Sequence, residues 1–225
     1  MGAPDPSADA PLELSVVPVT AFQQNTSLLR CTRTGAVAVV DPGGEPERIE
    51  AALSELGGEL ACVLLTHCHL DHAGATAELA EAHGVPVVGP QREDQFWIDS
   101  LPEQAAMFGF PPARTFAPDR WLEHGDTATV GELELEVLHC PGHTPGHVVF
   151  FHRASQMAWV GDVLFQGSIG RTDFPRGDHA TLLRSIRDRL LPLGDEVRFL
   201  PGHGPMSTLG HERRTNPFLT ELGAL

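Results

Sequence analysis

Lysine and tyrosine are absent from this 225-residue chain, so all fifteen of its cations are arginines, set against thirty aspartates and glutamates. The net charge of −15 argues against a phosphate backbone as partner, because sequence-independent nucleic-acid binding is driven by clustered cations. A nuclease reading loses ground for the same reason. No apolar run approaches the roughly eighteen residues of a membrane span, so no membrane partner is expected. The start, Met1-Gly2-Ala3-Pro4-Asp5-Pro6, has neither the basic end nor the apolar centre of a secretory signal, and a cytoplasmic location is expected. Cysteine is sparse. Cys31, Cys62, Cys68 and Cys140 lack the spacing of a disulfide framework and of zinc-finger pairs, and the strand-like surroundings of Cys31 and Cys62 suit reduced, buried thiols. What remains, 41% hydrophobic and 20% charged, is ordinary for a globular protein. The length suits one domain over residues 1–225, with residues 1–11 as a flexible tail.

The stretch Thr66-His67-Cys68-His69-Leu70-Asp71-His72 places three imidazoles and a carboxylate within six positions, a density that reads as metal. The run Leu60 to Leu65 before it reads as a buried strand, and the Ala-rich segment from Ala73 to Ala82, stopped by Gly84, reads as a helix. Strand alternation would then point His67, His69 and Asp71 one way and Cys68 and Leu70 into the core. Four ligands from one turn are too many for a single open tetrahedral zinc and suit two neighbouring metals completed from elsewhere.

Around this cluster the pattern alternates. Strands are expected over Leu12–Thr20, Thr26–Cys31 and Ala36–Val40, then a helix opened by Pro46 and closed by Gly57, and a short strand over Val85–Val88. Residues 90–118 show no regular period but are unusually apolar, which suits either a substrate wall or a cover over the core. Strands return over Leu133–Leu138, Val148–Phe151 and Met157–Val160. A helix follows over Asp178–Leu191, then a strand over Val197–Leu200 and one final helix over Leu209–Leu225. This order suits an α/β fold, two sheets with helices on both outer faces.

Three further candidates share one context, a strand followed by a Gly-flanked polar residue: His143 in Pro-Gly-His-Thr, Asp162 in Val-Gly-Asp and His203 in Pro-Gly-His-Gly. The arithmetic works with His67, His69 and His143 on one metal, Asp71, His72 and His203 on a second, and Asp162 bridging. Such a nitrogen and oxygen set suits zinc, and also iron or manganese. His147 reads as a supporting or a core histidine, Asp41 as a turn residue, and Arg213 and Arg214 as solvated charges.

His-x-His-x-Asp-His followed by Pro-Gly-His, Gly-Asp and Gly-His-Gly resembles the metallo-β-lactamase superfamily over about residues 12–205. Gly161-Asp162-Val163-Leu164-Phe165 and Gly170-Arg171-Thr172-Asp173-Phe174 resemble the small, single-domain glyoxalase II-like hydrolases of bacteria. The resemblance implies an αββα sandwich of two mixed sheets, two divalent metals, zinc first, and a role for Asp41 in orienting the ligand loop. It also implies hydrolysis of a small-molecule thioester such as S-D-lactoylglutathione, a metal-activated water attacking the acyl carbon with Asp71 and Asp162 in the catalytic set. Only twenty-two residues follow His203, so the helical glutathione-binding domain of full-length glyoxalase II is not expected, and the lysines and tyrosine that serve it there have no counterpart. Arg171 is the candidate substrate contact, with an Arg171–Asp173 ion pair as the alternative. The second stretch also resembles the persulfide dioxygenases, in which His67, His143 and Asp162 would hold a single iron. The missing tyrosine counts against the lactonases of this fold, and the missing export signal against a β-lactamase. A monomer or small homo-oligomer is expected.

Overall fold

The computed structural model describes residues 11–220. The tail expected before Pro11 and the last five residues of the expected final helix lie outside that range. The first sheet runs β1 (Leu12–Val19), β2 (Gln24–Cys31), β3 (Ala36–Val40), β4 (Glu59–Leu64) and β5 (Val87–Val88) in that spatial order. Short turns keep β1, β2 and β3 antiparallel. The crossover helices α1 (Pro46–Leu56) and α3 (Thr76–His83) make β3, β4 and β5 parallel. Helix α1 forms where the sequence asks for it: Pro46 sits in its first turn, Ile49 and Leu53 are buried, and Gly57 ends it at φ 72°.

The second sheet has the order β13 (Ser207–Thr208), β12 (Arg198–Pro201), β9 (Met157–Gly161), β8 (Val148–His152), β7 (Leu133–His139) and β6 (Thr127–Val130). Its one parallel pairing, β9 with β12, is the one bridged by helix α6 (His179–Ser185). A small hairpin, β10 (Leu164–Phe165) with β11 (Ser168–Ile169), follows β9.

Three cores define four layers. Leu29, Ala38, Val40 and Leu64 from the first sheet meet Val130, Leu135, Phe150 and Trp159 from the second, all buried. On the outer face of the first sheet, Leu28, Val39 and Val63 pack against Ile49 and Leu79 of the helices. On the outer face of the second, Val149, Phe151 and Phe199 pack against Leu182 and Leu209. The result is the expected αββα sandwich of two mixed sheets.

Three segments depart from the expected pattern. Residues 90–118 contain a 3₁₀ turn (Arg92–Asp94) and two helices, α4 (Gln95–Asp99) and α5 (Leu101–Phe108). Both are too short to show a helical period, and Met107 and Phe108 are apolar yet exposed, which blurs it further. The amphipathic segment at Asp178 is α-helical only to Ser185 and continues as a π turn and a 3₁₀ turn to Leu193. The last helix is two, α7 (Leu209–Thr215) and α8 (Pro217–Thr220). Asn216 takes the extended conformation (φ −72°, ψ 120°) that a following proline favours.

Candidate metal centre

Strand β4 stops at Leu64, two residues before the histidine cluster, so strand alternation does not aim these side chains. Thr66 to His69 form a loop, and Leu70–Ala73 make one helical turn, α2, that carries Asp71 and His72. Asp41, at the end of β3 with a left-handed φ of 53°, gives the loop its shape. Its Oδ1 accepts the Thr66 amide at 2.7 Å and its Oδ2 the Thr66 hydroxyl at 2.6 Å. The same Oδ2 lies 2.9 Å from His72 Nδ1, whose N–H it accepts. Asp41 is therefore a loop-orienting residue and more than a turn former. Cys68 does face away from the centre, fully buried in the core under the first sheet's helices.

The other three candidates arrive from the second sheet. His143 lies in the loop between β7 and β8, Asp162 directly follows β9, and His203 follows β12. Gly161, at φ 47°, makes the turn into Asp162. A Cβ there would sit 2.6 Å from His147 Nε2. Gly202 lets β12 end against the site; a Cβ on it would overlap the Asp162 carboxylate and come within 2.5 Å of the His72 ring.

Candidate ligand atoms of His67, His69 and His143 lie within 4.8 Å of one another, as do those of Asp71, His72 and His203. Asp162 stands between the two groups. Its Oδ2 is 3.6 Å from His143 Nε2 and 3.7 Å from His203 Nε2, and its Oδ1 is 3.3 Å from His72 Nε2. A third grouping, Asp41 with His67 and His72, is equally compact. The Asp41 oxygens there are committed to Thr66 and His72 Nδ1, so it does not form a site of its own.

The hydrogen bonds fix which ring nitrogen faces inward. His143 Nδ1–H donates to the Arg171 carbonyl at 2.7 Å and His203 Nδ1–H to the Phe22 carbonyl at 3.0 Å. Because the Thr66 hydroxyl is given to Asp41, its oxygen accepts from His67 Nδ1 at 3.1 Å. With His72 Nδ1 held by Asp41, four imidazoles turn their Nε2 atoms inward, the arrangement that metal-ligating histidines adopt. His69 presents Nδ1 instead, 2.9 Å from His143 Nε2. His67 Nε2, His72 Nε2 and Asp162 Oδ1 are buried without a hydrogen-bond partner. Buried polar atoms left this way are costly unless something satisfies them, and convergent lone pairs on nitrogen and carboxylate oxygen fit divalent cations.

Electrostatics agree. Burial, reinforced by neighbouring rings, lowers the pKa values of His67 and His69 well below the ordinary imidazole value, and burial lowers that of His143, so all three stay in the neutral, donating form. Burial also disfavours a charged His72, but the Asp162 and Asp71 carboxylates outweigh it and raise its pKa well above the ordinary value. The second group is thus a place where negative charge seeks a cation.

Two supporting residues complete the centre. His147 accepts the Asp162 amide on Nε2 at 3.1 Å, and its ring stacks on His67 at 4.6 Å, so it supports the site and also fills the core. Asp94, in the segment read as irregular, is fully buried and binds both ligand loops. Its Oδ2 accepts the Cys68 amide (3.1 Å) and the Thr144 hydroxyl (2.9 Å), and its Oδ1 the Gly146 amide (2.6 Å). Nothing in the sequence separates Asp94 from the exposed acids beside it. Arg171 lies at the mouth, 70% exposed, with its guanidinium paired to Asp173 at 3.0 and 2.7 Å and lying over the Phe174 ring.

A family model described as the metallo-beta-lactamase superfamily matches residues 19–203. A protein of Haemophilus influenzae named hydroxyacylglutathione hydrolase GloC is 49% identical over 209 residues, 92% of this chain and 98% of that protein. Among solved structures, one described as TTHA1623 in a di-iron-bound form is 39% identical with a TM-score of 0.82, covering 91% of this chain and all of the other. Another, described as BLEG-1 B3 metallo-beta-lactamase, is 34% identical with a TM-score of 0.85, covering 92% of this chain and all of the other.

Proposed function

From a chain that belongs to the metallo-beta-lactamase superfamily and is a metal-dependent hydrolase, we propose a binuclear enzyme that hydrolyses an acyl thioester, S-D-lactoylglutathione or a related one. The observation that carries the two-metal reading is Asp162, whose Oδ2 lies between His143 of one donor group and His203 of the other while its Oδ1 faces His72. His67, His69 and His143 would hold one ion, Asp71, His72 and His203 the other, and Asp162 both. Zinc suits this donor set first, and iron or manganese also fit it. The thioester reading rests on the glyoxalase II-like motifs and on similarity to a hydrolase named for such a substrate.

When bound, such ions polarise an acyl carbonyl and lower the pKa of water to near neutrality. The chain's own groups do the rest. Trp97 and Phe174 pack their rings 4.4 and 4.7 Å from that of His69 and keep bulk water from the first group. Asp41, the Arg171 carbonyl and the Phe22 carbonyl hold the imidazoles at fixed angles, so little reorganisation is needed as charge develops on the substrate oxygen. Water supplies the new C–O bond, the C–S bond breaks, and acid and thiol leave. A thiolate leaves without a strong general acid, which agrees with a site built without tyrosine or lysine.

The test is metal analysis of protein purified without chelator, paired with thioester assays under argon and in an oxygen electrode. About two metal equivalents and oxygen-independent hydrolysis are expected, and Asp162→Ala should empty both positions. One equivalent, with persulfide turnover that consumes oxygen, would replace this reading with the mononuclear iron dioxygenase. Two equivalents retained in Asp162→Ala would refute the bridging role.

A further inference from the structure

The cavity over the metal centre holds about 1070 Å³, the upper end of the size range for small-molecule sites. Its floor is the ligand set. From floor to rim its walls are aromatic and apolar: Trp97 and Phe174 lie against His69, and Phe22 meets Phe108 edge to face at 6.0 Å at the opening. These rim residues are exposed to an unusual degree, Met107 at 77%, Phe108 at 51% and Phe22 at 46%, and all three line the same cavity. Large apolar side chains held in water around one opening mark a surface that something apolar covers.

Charge on the same walls points the same way. Among the described residues that line the cavity the one arginine, Arg171, is already paired bidentately with Asp173, and Glu103 on α5 adds a negative charge. Other polar lining groups are also engaged. Gln104 accepts the Leu70 amide on Oε1 and donates to the Trp97 carbonyl, and the Ser100 hydroxyl donates to that same carbonyl. Among the described lining residues, a thiol bearing carboxylates, like glutathione, or phosphates would meet one arginine that Asp173 already holds, and the carboxylate of Glu103.

Resting on the thioester-hydrolase reading above, we infer that the substrates are thioesters with a medium-length or aromatic apolar acyl group on a small uncharged thiol. The reacting carbonyl sits over the ligand set, and the acyl group runs along Trp97 and Phe174 to the Phe22–Phe108 rim. Water adds to the acyl carbon, the C–S bond breaks, and a fatty or aromatic acid and a neutral thiol are released.

The experiment uses the metal-loaded protein and N-acetylcysteamine thioesters from acetyl to octanoyl, with S-D-lactoylglutathione as the charged comparison. Each methylene buried on the wall should raise kcat/KM by about fourfold. Octanoyl thioester should exceed S-D-lactoylglutathione, and Phe22→Ser/Phe108→Ser should cut the octanoyl-to-acetyl ratio by about tenfold or more. Both positions are half-exposed, so the fold does not depend on them. A non-hydrolysable S-octyl thioether of N-acetylcysteamine should perturb tryptophan fluorescence, with Trp97 on the cavity wall as the reporter, at lower concentration than its S-ethyl counterpart. Hydrolysis that is indifferent to chain length, or faster with S-D-lactoylglutathione than with any acyl chain, would overturn this inference and leave the thioesterase reading standing. No hydrolysis of any thioester would remove both.

Discussion

Single residues around the centre have separable effects. Cys68 lies between two candidate ligands yet is wholly buried on the opposite side, with burial raising its thiol pKa well above the ordinary value. Cys68→Ala should cost roughly 1 kcal/mol of stability from lost packing and leave metal content unchanged. A fall in bound metal on elemental analysis would make the thiol a ligand. Burial also pushes the Cys62 and Cys140 thiols up to about 12, so neither should react with iodoacetamide in the native protein near neutral pH, while both should after denaturation. Gly202→Ala is the opposite case, a one-methyl change that strikes the centre, because the new methyl would occupy the place of the Asp162 carboxylate. Turnover should drop by about a hundredfold, with lower metal occupancy by the same elemental analysis. The candidate ligands were legible as a set in the sequence because imidazoles and carboxylates at Gly-flanked strand ends have few other uses, and the structure brings their side chains together. Asp94 was not, because a buried carboxylate is defined by the three donors around it, and those come from Cys68, Thr144 and Gly146, far off in the chain.

Among the elements, the segment Arg92–Phe108 does the most that its sequence concealed. It is both a cover over the first sheet's core and a wall of the cavity, so the two readings of residues 90–118 hold together. Asp94 ties its start to the loops carrying His69 and His143. Asp94→Ala would strand three buried donors and should cost about 3 kcal/mol or more, read by denaturant unfolding. The same carboxyl has a pH signature. Burial, opposed by its three donors, raises its pKa from 3.8 to about 7 in the folded protein. Between those values the folded state binds the proton more tightly than the unfolded chain. Its contribution to stability is therefore full below the lower value and is lost as pH rises through about 7. Asp94→Asn should flatten that part of the stability profile; an unchanged slope would show that the three donors keep the group ionised. Long strands and the helix opened by Pro46 were legible from period and caps. Helices of five and eight residues, α4 and α5, carry too few turns to show a period, and the break at Asn216 rests on one proline.

For the molecule as a whole, the centre is a joint between its halves. His67, His69, Asp71 and His72 belong to the first sheet's side, and His143, Asp162 and His203 to the second's. Ions that bind only when the sheets are docked stabilise the docked state by mass action, about 2.7 kcal/mol at a hundredfold excess over Kd. Chelation should accordingly lower Tm by about 8 °C for a chain of this size, in a scan with and without EDTA followed by zinc restoration. An unchanged Tm would place the ions outside the folding equilibrium. No helix among the described residues is long and apolar enough to cross a membrane.

The walls of the cavity are fastened to its floor by main-chain hydrogen bonds: the Phe22 carbonyl to His203, the Arg171 carbonyl to His143, and the Leu70 amide to Gln104. For an engineer this divides the protein unevenly. Transplanting a whole loop from a relative would unseat an imidazole along with the wall it replaces, and such chimaeras should lose chemistry before they change preference. Side chains that project from the same walls without anchoring anything, Met107 and Phe108 at the end of α5 above all, are open to saturation mutagenesis. Selectivity in this scaffold is therefore most readily altered one rim side chain at a time.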